Sequence, residues 1–149
     1  MNNPGNQEQS PREYNPLIKQ QMDGLIDAEN ELAPTPIDAT FIQEGFRRVV
    51  DIPIGEGGLS LNGLYFLFLE GSARRRSETA LAEYLATNSN AINTDPTLAS
   101  RKEQEYREAE ILKIRGVTQE VLEAGSLDVR LKEALMFYLQ TEGQGKQTF

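Results

Sequence analysis

The stretch Leu59-Ser60-Leu61-Asn62-Gly63-Leu64-Tyr65-Phe66-Leu67-Phe68-Leu69 decides the fold. As strands, it is a hairpin: Asn62-Gly63 suits a type I′ turn between Leu59–Leu61 and Leu64–Leu69. As a helix, Leu61, Leu64, Tyr65, Phe68 and Leu69 recur at three and four and form one stripe. Period alone cannot separate the two for so short an apolar run. The surroundings favour the helix, because a lone hairpin is marginal in water and the flanking segments read as helical.

Upstream, Leu17, Ile18, Met22, Leu25, Ile26 and Leu32 share a helical stripe over Pro16–Leu32. Asn15 is placed to cap it, and Pro16 takes the first helical position, where a missing N–H costs nothing. Ala33-Pro34-Thr35-Pro36 ends that helix. Thr35 and Pro36 are read as the cap and first residue of a second helix, with Ile37, Phe41, Ile42, Val49 and Val50 inward, and Pro53 and Gly55-Glu56-Gly57-Gly58 stop it. Downstream, Ser77–Thr87 reads as a helix, Asn88–Thr94 as a polar loop, and Pro96–Arg115 as the longest helix, closed by Gly116 in a left-handed position. Thr118 is expected to cap a short turn ending at Gly125, and Ser126 a last helix with Leu127, Leu131, Leu135, Tyr138 and Leu139 on one face.

The expected fold is therefore all-α: a small bundle of five or six short helices over residues 16–141, with a possible small hairpin at 59–69. Polar arms extend it at both ends, residues 1–15 and 142–149. These arms are rich in Asn, Gln and Gly and offer little to bury. Residues 1–15 lack the apolar core of a signal peptide, and Leu64–Leu69 is far too short to span a bilayer. A soluble protein of a reducing compartment, or of a virion, is expected.

The 149 residues include neither histidine nor cysteine. The chain therefore cannot build serine–histidine or cysteine–histidine nucleophile systems, and zinc, haem or iron–sulfur ligation becomes improbable. A formal charge of −8 disfavours nucleic acid, whose phosphates it repels. The loop Gly55-Glu56-Gly57-Gly58 lacks the lysine and the spacing of a phosphate-binding loop. Arg74-Arg75-Arg76 is the one strong basic cluster, with no aromatic ladder beside it, so contact with an acidic protein surface or with solvent outranks contact with nucleic acid. It also approaches Ser77 as a phosphorylation site would.

Glu105 and Glu108 are three residues apart, and Glu120 and Glu123 repeat the spacing. This pattern is similar to the paired acidic helices with which all-α nucleotide pyrophosphatases hold magnesium, and the resemblance would imply a carboxylate–magnesium hydrolase. Only about a dozen residues separate the pairs, and no lysine or asparagine set for a nucleotide accompanies them. Ion pairs along a helix face explain the alternating charges of residues 101–108 more simply.

The sequence thus points away from catalysis, with no catalytic residue, cofactor or metal expected. Its leading reading is a structural subunit of a larger assembly, a homo- or hetero-oligomer, in the style of a phage neck, adaptor or decoration protein. The alternative is an acidic regulator of a basic partner. The expected partner contacts are Leu64, Tyr65, Phe66, Leu67, Phe68, the three arginines Arg74, Arg75 and Arg76, and the terminal Phe149. The argument for the apolar ones is geometric: consecutive apolar residues cannot all hide behind one helix face.

Overall fold

In the computed structural model, the backbone is described for residues 15–147, and the side chains of that span other than 91–93 and 142–147. Among the described residues there are six helices and no strand: α1 Pro16–Leu32, α2 Ala39–Val50, α3 Leu61–Thr87, α4 Ser89–Thr94, α5 Leu98–Ala124 and α6 Val129–Gln147. Residues 1–14 of the expected N-terminal arm, and Phe149, lie outside the described residues. The backbone of α6 stays helical as far as Gln147.

The chain is all-α, and residues 61–69 are helix. Ser60 caps α3 by accepting from the Gly63 N–H at 3.1 Å, so Asn62-Gly63 falls in a first helical turn and the possible hairpin is excluded. A hairpin would have left its edges open, whereas the helix pairs its backbone internally. It then runs on through Gly71 and the three arginines as one element of 27 residues.

At the start of α1, Asn15 accepts from the N–H of Leu17 at 2.9 Å, as the sequence predicts. The start of α2 is corrected: Asp38, not Thr35, is the cap and accepts from Phe41 N–H at 2.9 Å, while the Thr35 hydroxyl donates back to the Leu32 carbonyl at 2.7 Å. Residues 89–94, expected as loop, form the short α4. Gly116 does not end α5, which continues to Ala124 and carries Thr118 buried in its interior. The true break is Gly125-Ser126, both left-handed (φ 77° and 57°), and Asp128 rather than Ser126 caps α6 through the Arg130 N–H at 2.7 Å.

Helix α3 packs against every other described helix. Leu64, Tyr65, Phe68 and Leu69, in its first turns, are fully buried in the core, which they share with Phe41, Ile42 and Val49 of α2, Ile114 and Val121 of α5, and Leu135 and Tyr138 of α6. The Phe41 and Phe68 rings stack at 5.7 Å, and Phe46 meets Tyr65 edge-on at 5.4 Å. Gly45 makes that approach possible, since a Cβ there would overlap the Phe68 ring.

Candidate functional site

The apolar run of α3 is closed off inside the chain. Leu64, Tyr65 and Phe68 retain no exposed area, so the expectation that they meet a partner is corrected. The reason is that the cover missing from one helix face comes from α2, α5 and α6 of the same chain. Tyr65 donates its hydroxyl to the Ile42 carbonyl at 2.8 Å, and burial, with Tyr138 nearby, holds the phenol well above its usual pKa. Phe66 and Leu67 are half-buried, and Phe66 reaches outward onto α6, edge-on to Phe137 at 6.1 Å and 5.7 Å from Tyr138.

That contact leads to the helix that carries three of the six exposed large hydrophobic side chains among the described residues. Helix α6 buries Leu131, Ala134, Leu135 and Tyr138 on its inner side. Its outer side still carries Val129, Met136 and Phe137, exposed to 68%, 44% and 38%. Positions 129, 133, 136, 137 and 140 follow the helical repeat and lie along one stripe. Beside Asn62 at the start of α3, Glu133, Met136, Phe137 and Gln140 line a shallow depression of about 280 Å³. Sequence reasoning did not single out Met136 and Phe137. Their only signal was that apolar residues occupy 135 to 139 without a break, more than one face can hold.

The arginine cluster divides its work. Arg74 is exposed. Arg75 lies 3.6 Å from the buried Glu29 of α1. Arg76 donates to the Leu32 carbonyl at 3.1 Å, adding to the bonds that this carbonyl at the end of α1 already accepts from Thr35, and its guanidinium stacks 5.1 Å over the Phe41 ring. Two of the three therefore hold α1 against α3. Burial lowers the pKa of Arg76, while the charge of Glu110 opposes that shift. Burial also raises the Glu29 carboxyl above its usual value, against the pull of Arg75 and Arg74. Ser77 is fully buried and donates to the Arg74 carbonyl at 2.8 Å, which removes it as a modification site.

The paired glutamates do not converge. Glu105, Glu108, Glu120 and Glu123 are all exposed on the single helix α5, and 15 residues of α-helix put the two pairs about 22 Å apart along its axis. Lys102 pairs with Glu105 at 3.0 Å and Arg107 with Glu103 at 3.2 Å, the helix-face ion pairs that the charge pattern predicts. The magnesium arrangement implied by the pyrophosphatase resemblance is thus corrected: it needs two facing helices, and the continuation of α5 through Gly116 removes the second. Between α1 and the end of α2 lies a further groove of about 430 Å³, with Asp23, Asp27, Glu31 and Asp51 around a floor of Gly24, Ala28 and Ile52. No family model, no curated protein and no solved structure matches the chain.

Proposed function

We propose that the chain is a non-enzymatic structural subunit of a larger protein assembly, of the kind that virion accessory proteins represent, and that it joins its neighbours through the outer side of α6. The observation that carries this reading is the exposure of Val129, Met136 and Phe137 on a helix whose inner side is already fully packed. Large apolar side chains on one helical stripe, interleaved with the polar Glu133 and Gln140 and bordered by Asn62, have the mixed composition of an interface. Aromatic and methionine side chains are enriched at such centres, the aromatic because a rigid ring buries much area and the methionine because its flexible thioether fits irregular surfaces.

The test is mass in solution. A defined oligomer, at least twice the 16.7 kDa of one chain, is expected by light scattering, and Met136→Glu/Phe137→Glu returns it to one chain with unchanged helicity. A wild-type protein that stays monomeric at high concentration, with the double variant indistinguishable from it, overturns the reading. The groove between α1 and α2 favours the second reading, an acidic regulator. Four carboxylates stand there against the one lining guanidinium, Arg48, which pairs with Glu31. Salt-sensitive binding of a basic protein, lost in Asp27→Asn/Asp51→Asn, would support that reading instead.

A further inference from the structure

The molecule is acidic overall, yet one cleft is not. Between α3 and α5, next to the end of α1, Arg75, Arg76, Thr79, Lys113, Glu110 and Ala33 line a cleft of about 400 Å³. We infer that this cleft is a binding site for a phosphate group, carried by inorganic phosphate or by a small phosphomonoester.

Three features support it. Cations outnumber acids: the only carboxylate in the lining is Glu110, and Glu29, beyond it, answers Arg75. Arg76 is held in place before any ligand arrives, by the Leu32 carbonyl and the Phe41 ring, so little side-chain freedom is lost on binding. Donors are left over. Lys113 takes part in no salt bridge among the described residues, and just behind the lining the Arg75 Nε–H and one Glu110 carboxylate oxygen are buried without partners, one of each sign. Guanidinium groups at fixed positions with a mobile ammonium beside them suit an oxyanion with several acceptor oxygens. The site does not depend on the α6 interface, which lies on another helix, so either proposal can fail alone.

The experiment is thermal unfolding in inorganic phosphate, and separately in glycerol phosphate, against chloride at matched ionic strength and pH. At several times Kd, phosphate is expected to raise the melting temperature by about 3 °C over chloride. Lys113 is exposed, so Lys113→Ala keeps the fold and is expected to remove most of the shift. Lys132→Ala, on α6, keeps it. A shift with inorganic phosphate alone identifies the free ion as ligand, and a larger one with the ester identifies a phosphorylated small molecule. The inference is overturned if phosphate and chloride give the same melting temperature, if Lys113→Ala keeps the full shift, or if Lys132→Ala loses as much as Lys113→Ala does.

Discussion

Thr118 is fully buried in α5, and its hydroxyl finds no hydrogen-bond partner among the described residues. A buried hydroxyl without a partner opposes folding, because water would have satisfied it. Thr118→Val keeps the shape and removes the hydroxyl, so it is expected to raise stability by up to about 1 kcal/mol in urea unfolding. Had Thr118 been a helix cap, the same change would lower stability by a similar amount. Glu29 presents the charged counterpart. Its carboxyl titrates above the ordinary 4.5 because burial disfavours the charge more than Arg75 and Arg74 favour it. The folded state therefore holds more protons than the unfolded one from about 4.5 upward, and stability falls as pH rises through that interval. Glu29→Gln removes this fall. The advantage of the variant over wild type, read by urea unfolding, is expected to grow as pH rises from 4.5 toward neutrality. An advantage that shrinks over that range would contradict the assignment.

At the scale of elements, Gly116 is the sharpest test of α5. It lies mid-helix, and a Cβ there would meet nothing within 4 Å. Gly116→Ala should therefore stabilise the protein by about 1 kcal/mol, the helix-propensity difference. If Gly116 closed the helix in a left-handed turn, alanine would destabilise it instead, and a melting curve separates the two. The connection between α2 and α3 hangs on Gln21, which is fully buried on α1. Its amide donates to the carbonyls of Pro53 and Leu59 at 2.9 and 3.1 Å, and its oxygen accepts from Leu59 N–H at 3.0 Å. Gln21→Ala leaves those groups without partners, and a loss of about 2 to 3 kcal/mol is expected from chemical unfolding. These sites also mark what can be read from the chain. Caps followed by proline, such as Asn15-Pro16, are local and were legible. The union of 61–69 with 77–87 into α3 was not, because the arginines between them look like an interruption. Only the contacts of Arg75 with Glu29 and of Arg76 with Leu32 and Phe41, distant in sequence, turn two of them inward. Gln21 escaped for the same reason: its partners lie more than thirty residues away.

For the whole molecule, the all-α class was legible because caps and periodicity repeat along the chain, but the exposed apolar side of α6 was not. Apolar residues at 64–69 and at 135–139 look alike in sequence; topology alone decides which run becomes the centre and which keeps an exposed side. The same topology governs how the protein unfolds. Since α3 touches every other described helix, neither α1–α2 nor α5–α6 can lose it and keep a core. The tyrosines report on both sides: Tyr65 packs against Phe46 of α2, and Tyr138 against Phe66 from α6. Far-ultraviolet circular dichroism follows the helices, and the near-ultraviolet tyrosine signal follows this packing. The two melts are expected to superimpose as one cooperative transition. Gly45→Ala, which overfills the contact of α2 with Phe68, is expected to shift both downward together, by about 1 to 3 kcal/mol, without splitting them. Two separated transitions would mean that α5 and α6 hold together without α2. In that case α3 would be a seam between two units rather than the centre of one.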